Sequence, residues 1–253
     1  MSVESALEQR VKTAGIKQVN SCELYPTLHQ PGDAGLPMLV VDNALGCAVI
    51  ANLGGHSAED YLKGAALLNG AEIDILELNI SCPNVKAGGM ALGMRPESAA
   101  EITRRVREVS RHPLMVKLTP NAPELCEVAL ACEAAGADAL SLVNTFLGMA
   151  IDVKNRRAAF ENVYAGLSGP AIMPIALRMV HQVARRVAIP VVGMGGITNT
   201  EDALCFLMAG ARAVQVGSMT FADPRAMLGI IDGLAAYCAG NGLANIGEIC
   251  GII

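Results

Sequence analysis

Polar residues crowd the end of one aliphatic run. Residues 73–78 are dominated by Ile and Leu, interrupted only by Asp74 and Glu77, and a turn of Cys82, Pro83 and Asn84 follows shortly after. Such a run reads as a buried strand and the Cys-Pro-Asn turn as its stop. In a parallel α/β fold, ligands sit beyond the carboxyl ends of the strands, so Asn79, Ser81, Cys82 and Asn84 are placed to face a substrate. Lys117 stands near the end of a second aliphatic run, residues 114–118. An unpaired buried ammonium is costly, so this lysine is expected to meet an anionic or electron-rich group at the strand end; the plainer alternative is a head group that reaches past the strand to water. Asn144 and Thr145 end a third run and offer an amide and a hydroxyl without charge, which suits a heterocycle with carbonyl and N–H edges, although both types also form ordinary turns.

Two glycine loops add a second kind of chemistry. Gly193-Met194-Gly195-Gly196-Ile197 and Gly217-Ser218-Met219-Thr220 follow the last two aliphatic runs. Glycine lets the main chain approach an anion closely, and barrel enzymes commonly bind phosphate after their last strands. Either loop alone is an ordinary tight turn; both together point to a phosphate-bearing ligand.

The elements that must position these residues repeat as strand, loop and helix. Strands are expected over 47–52, 73–78, 114–118, 139–143, 190–193 and 213–216. Helices are expected from a cap at Ser57 to about Leu68, from Pro96 through Val109, over 123–135 with Asn121 as cap and Gly136 as stop, over 171–187, after a cap at Asn199 or Thr200, and from Asp223-Pro224 to just before Gly240. A long loop over 144–168 is expected to be functional. Successive units of this kind imply parallel strands, and at 253 residues barrel closure is the natural outcome. The fold class is α/β, a TIM (β/α)8 barrel, with atypical or incomplete N-terminal strands. Residues 1–47 form an atypical segment, with only a polar helix over 5–13 and one strand over 38–41 legible; residues 48–253 form the barrel units.

Composition narrows the function. A net charge of −5, with no long basic run, gives nucleic acid no footprint. Hydrophobic residues make up 52% of the chain, yet no apolar stretch reaches the ~18 residues of a membrane span, and the N-terminus has no signal core. The eight cysteines show no C-x-x-C pair and no His at ligand spacing, so no metal site is expected and a reducing cytoplasm follows. His29, His56, His112 and His181 pair with no nucleophile, which leaves a hydrolase triad unsupported.

Taken in order, Glu77 to Val85, Val116-Lys117-Leu118-Thr119-Pro120-Asn121, Asn144 to Ala150, Gly166 to Ile172, Gly193 to Ile197 and Gln215-Val216-Gly217 resemble the catalytic subunit of class 1B dihydroorotate dehydrogenases, from about residue 48 to the end. The resemblance implies FMN at the barrel mouth and oxidation of dihydroorotate to orotate in de novo pyrimidine biosynthesis. Cys82 matches the base that takes the C5 proton, and Lys117 matches the lysine on the N1 and O2 side of the flavin. Asn52, Asn79, Val143, Gly169, Gly195, Gly196, Gly217 and Ser218 match FMN contacts, the last four on the phosphate side. Asn79, Asn84, Asn144 and Thr145 match substrate contacts. Also implied are an electron-transfer subunit with FAD and a [2Fe-2S] cluster that passes electrons to NAD, and a homodimer of catalytic subunits within a heterotetramer.

Residues 1–47 depart from that pattern. The family's small-residue flavin turn, Thr-Lys pair and Asn-x-x-Gly-Leu segment are not found there; Asp42-Asn43-Ala44-Leu45-Gly46 echoes only the last. The abrupt boundary leads to the expectation that upstream nucleotides, or another frame across these codons, encode the missing segments. Two alternatives stay open: a non-catalytic barrel remnant that serves as a binding or assembly partner, and a dihydropyrimidine dehydrogenase-like flavoprotein, which usually has Cys-Pro-His where this chain has Cys82-Pro83-Asn84.

Overall fold

The computed structural model describes residues 19–24, 48–81 and 90–253. Cys82, Asn84 and the elements expected over 5–13 and 38–41 lie outside the described residues.

The strands, in chain order, are β1 (Val19–Leu24), β2 (Ala48–Leu53), β3 (Ile75–Asn79), β4 (Leu114–Lys117), β5 (Ala139–Leu142), the short β6 (Phe146–Met149), β7 (Ile151–Asp152), β8 (Arg157–Ala158) and β9 (Tyr164–Leu167), then β10 (Val191–Met194) and β11 (Ala213–Gln215). Seven of them form one sheet in the order β1-β2-β3-β4-β5-β10-β11, every neighbouring pair parallel. Spatial order thus equals sequence order. From β2 onward each crossover carries a helix: α1 (Ala58–Leu68), α2 (Met90–Gly93) with α3 (Pro96–Val109), α4 (Leu125–Ala134), α5 (Met173–Ala184) and α6 (Thr200–Met208), with α7 (Met219–Ala222) and α8 (Ala226–Asn241) after β11. A singly wound parallel sheet of this kind is barrel topology, not the doubly wound alternative, in which strand order reverses at a switch point.

Caps fix where the helices begin. The Ser57 side chain accepts from Asp60 N–H at 3.3 Å while the Asp60 carboxylate accepts from Ser57 N–H at 3.0 Å, a reciprocal box that starts α1. Asn199 accepts from Asp202 N–H at 2.9 Å and starts α6.

Several expectations need correction. Residues 19–24, which show no apolar periodicity, form a strand paired in register with β2. The strand expected over 73–78 is shifted, because the Asp74 carboxylate accepts from Val49 N–H at 2.8 Å and β3 runs on to Asn79. Asn121 does not cap α4, which begins after Glu124; its amide instead donates to Thr145 O at 3.1 Å and accepts from Leu147 N–H at 3.1 Å. The loop expected over 144–168 is a ribbon in which β6 pairs antiparallel with β9 and β7 with β8. The loop over 217–222 holds the short α7, and α8 passes through Gly240 to end at Gly242, whose φ of 67° makes the left-handed stop.

Candidate active site

Side chains alternate along a strand, so each strand of the parallel sheet has one face toward the helices and one toward the barrel axis. The helix-facing set includes Leu76, Leu78, Leu114, Val116, Leu140 and Leu142, all in one continuous apolar core with α1, α3, α4 and α5 residues. The opposite set changes character along the axis. Ile50, Ile75, Met115, Ala139 and Val192 form a separate buried apolar layer. Two residues further on, toward the carboxyl ends, stand Asn52, Glu77, Lys117 and Ser141, with Met194 on β10 and its register partner Gln215 on β11, followed on β3 by Asn79. An apolar floor therefore lies beneath a polar layer at the mouth.

That layer is tightly bonded. Asn52, Glu77 and Asn79 are 1% exposed and Ser81 and Ser141 are fully buried. Asn52 Nδ2 donates to Glu77 Oε2. Glu77 Oε1 accepts from Ser141 Oγ at 2.6 Å and from Gln215 Nε2 at 3.3 Å. Asn79 Nδ2 donates to Asn52 Oδ1 at 3.1 Å, and Asn79 Oδ1 accepts from Ser81 Oγ at 2.6 Å. Asn144 Nδ2 donates to Ser81 Oγ at 2.7 Å, and Thr145 N–H donates to Asn144 Oδ1 at 2.8 Å. The Tyr61 hydroxyl of α1 donates to the Asn79 carbonyl at 2.7 Å and holds the end of β3 from behind. Buried polar groups demand such pairing, since each unpaired one costs about 1–3 kcal/mol.

Lys117, 7% exposed, is the last residue of β4; its register partners are Asn79 on β3 and Ser141 on β5. The structure thus brings Asn52, Asn79, Lys117, Asn144 and Thr145 together at one mouth. Ser81, fully buried, is the residue immediately before the expected base Cys82.

The glycine loops converge beside this mouth. Gly195 and Gly196 have φ of 129° and 80°, a region open to glycine and strained for other residues. A Cβ on Gly196 would stand 2.7 Å from the Gly169 carbonyl oxygen and 2.8 Å from Met173 Cβ; one on Gly195 would stand 2.8 Å from Ala176 Cβ and 3.1 Å from Val143 Cγ2. Val143 N–H in turn donates to Met194 O at 3.0 Å, which joins the ends of β5 and β10. Gly169, with φ of 90°, lies with its Cβ position 4.0 Å from Ser218 Oγ, while among the described residues Gly217 has no heavy atom within 4 Å of its own. Three loops, through Gly169, Gly195-Gly196 and Gly217-Ser218, therefore meet in a cradle with open space at one wall. That arrangement fits a phosphate group.

Glu77, Ser141 and Gln215 were missed by the sequence reading, which took Glu77 as an interruption of an aliphatic run. Parity was the available signal: a carboxylate two residues before Asn79 shares its face of the strand.

Fold and site together define an α/β barrel with a polar, amide-rich mouth beside an anion cradle. A match to the dihydroorotate dehydrogenase family spans residues 17–237, and so begins upstream of residue 48. Among curated relatives, the catalytic subunit of dihydroorotate dehydrogenase B (NAD(+)) from Alkaliphilus oremlandii is 50% identical over 203 residues, covering 80% of this chain and 67% of the relative. The subunit of the same name from Petrotoga mobilis is 48% identical over 218 residues, covering 86% and 72%. That from Caldicellulosiruptor saccharolyticus is 43% identical over 253 residues, covering 96% and 83%. The chain belongs to the dihydroorotate dehydrogenase family, and is an oxidoreductase built on the TIM barrel of that family.

Proposed function

We propose that this chain oxidises dihydroorotate to orotate in de novo pyrimidine biosynthesis, with FMN as its bound cofactor and with electrons leaving through a partner subunit, carrying FAD and a [2Fe-2S] cluster, to NAD. The observation that carries this reading is the polar chain through Asn52, Asn79, Ser81 and Asn144 set directly beside a glycine cradle. FMN, when bound, supplies an acceptor for the hydride that leaves substrate C6.

The remaining chemistry falls to the protein. Gly195, Gly196, Gly217 and Ser218 offer backbone N–H groups and a hydroxyl to the phosphate, with Gly169 closing the same cradle. Asn52, Asn79 and Val143 line the ring site. Lys117 would hold the pyrimidine side of FMN, where its ammonium would favour negative charge on the ring. Asn79, Asn84, Asn144 and Thr145 present amides and a hydroxyl to the carbonyl and N–H edges of the substrate. Cys82 Sγ takes the proton from C5, a task for which a thiolate is suited and a hydroxyl is not. The apolar floor of Ile50, Ile75, Met115, Ala139 and Val192 excludes water from below.

The ribbon of β6 to β9 supports a homodimer of catalytic subunits: Leu147, Met149, Ile151, Val163, Tyr164 and Leu167 are all exposed on it, an apolar surface that a second copy would cover. Among the described residues no helix is long and apolar enough to cross a membrane, and Cys126, Cys132, Cys205, Cys238 and Cys250 are free thiols, which supports a reducing cytoplasm. A non-catalytic remnant is the weaker reading, since a buried carboxylate and its bonded amides are costly to keep in a site with no use.

Purified protein is expected to be yellow and to release FMN on denaturation; colourless protein that cannot be reconstituted would sink the proposal. Cys82→Ser is expected to keep FMN and to slow flavin reduction by dihydroorotate at neutral pH by roughly 10²–10⁴-fold. An unchanged single-turnover rate removes Cys82 from the role of base.

A further inference from the structure

We propose that Glu77 is a positioning residue: its carboxylate fixes the direction of the Asn52 amide, so that Asn52 Oδ1 stays turned to accept from Asn79 and the substrate meets one defined set of donors and acceptors. This rests on the reading of the mouth as a dihydroorotate site.

An amide side chain can be turned over with almost no change in shape, so its direction must be set by neighbours that have no such choice. At the outer end of the chain two backbone groups have none. Ser81 N–H, which can only donate, faces Asn79 Oδ1 at 3.2 Å, and Thr145 N–H faces Asn144 Oδ1 at 2.8 Å. At the inner end stands the Glu77 carboxylate, which when ionised can only accept. Every link between these ends runs the same way. Asn144 donates to Ser81, Ser81 to Asn79, Asn79 to Asn52 and Asn52 to Glu77. Both ends therefore demand the same orientation, and successive bonds polarise one another toward the carboxylate.

The anchor is itself held. Ser141 and Gln215 donate to its second oxygen, so the carboxylate cannot turn away from Asn52. Burial of Asn52, Glu77 and Asn79 to 1% exposure removes water as a competing partner.

A glutamine at this position keeps the shape but offers a donor as well as an acceptor, so the inner end no longer imposes a direction. Moving the carboxylate one link along restores it: in Glu77→Gln/Asn52→Asp, the new aspartate can only accept, from Asn79 on one side and from the glutamine on the other. A role in packing alone would not predict recovery in the double variant.

The test uses the full chain with ¹⁵N-labelled asparagine, with FMN added, and follows exchange of the Asn79 side-chain amide by NMR beside steady-state kinetics with dihydroorotate and binding of orotate. Wild type is expected to protect the Asn79 amide. Glu77→Gln is expected to exchange it at least about tenfold faster and to raise KM for dihydroorotate about tenfold with a smaller change in kcat, the scale of one hydrogen bond to a charged group. The double variant is expected to recover the Asn79 protection, and this alone supports the proposal if Glu77→Gln fails to fold. Unchanged Asn79 exchange in Glu77→Gln, or a folded double variant with no recovery, overturns the proposal while orotate still binds wild type. Absence of orotate binding in every chain, wild type included, overturns it together with the reading on which it rests.

Discussion

The two faces of one sheet carry opposite assignments. On β3, Leu76 and Leu78 point to the helices and belong to the large apolar core, while Ile75, Glu77 and Asn79 point to the axis and pass from apolar to polar within five residues. On β2 to β5 the helix-facing side is uniformly apolar because it packs into one core with residues of α1, α3, α4 and α5. The axis-facing side is graded: its lower part is an apolar layer, and its upper part, equally buried, is where bonded amides and a carboxylate are assembled. Stability and chemistry are thus divided by parity along the same strands, so a substitution one residue away is expected to change a different property.

The largest stability effect is expected on the helix-facing side. Leu76→Ala removes a fully buried side chain and is expected to cost about 2–5 kcal/mol in urea unfolding, with the visible spectrum of bound FMN unchanged. A flavin spectrum that shifts along with the lost stability would break the division between faces.

A pH effect follows on the same side. Burial among α4 residues pushes the Cys132 thiol from 9.0 up to about 12, against a smaller opposing effect of its hydrogen bond with Thr103. The unfolded chain releases this proton at the lower pH, so above about pH 9 the unfolded state binds fewer protons than the folded one and stability falls as pH rises, the loss ending near pH 12. Below pH 9 the thiol contributes no slope. Urea midpoints measured from pH 8 to 11 are expected to fall less steeply in Cys132→Ala than in the parent chain, since other alkaline titrations are common to both.

How far the sequence reveals this arrangement depends on which signal each element leaves. Ser57 with Asp60 and Asn199 with Asp202 are local pairs, and the helices they start were legible. Aliphatic runs such as Leu114–Lys117 were legible because both faces of a parallel strand are covered. β1 left no such signal, as Asn20, Ser21 and Glu23 break its apolar pattern, and only pairing with β2 makes it a strand. The ribbon of β6 to β9 was read as a loop because its exposed Leu147 and Met149 alternate with the partly buried Phe146 and Gly148 and no buried run marks it. At the site, Lys117, Asn79 and the glycine loops could be placed from strand ends alone. Glu77 could not, because its meaning lies in bonds to Asn52, Ser141 and Gln215, residues 25, 64 and 138 positions away.

The smallest effects are expected at the cradle, where two glycines separate the demands of folding from those of binding. Gly196 has a φ of 80° and backbone atoms close on its Cβ position, so Gly196→Ala strains the fold before any ligand arrives. It is expected to lower stability by about 1–3 kcal/mol and to weaken FMN binding with it. Among the described residues Gly217 has no heavy atom within 4 Å of its Cβ position, and it has no positive φ, so an added methyl meets none of their side chains. Gly217→Ala is therefore expected to unfold at the same urea concentration as the parent, within about 0.5 kcal/mol. Its methyl would occupy the open wall of the cradle, and FMN is expected to bind about tenfold more weakly, the scale of one lost contact to a charged group. Fluorescence titration of the stripped protein with FMN, run beside urea unfolding, separates the two cases. If Gly217→Ala binds FMN as tightly as the parent, the open wall does not face the phosphate, and the cradle must be sought around Gly169 and Gly195-Gly196 alone.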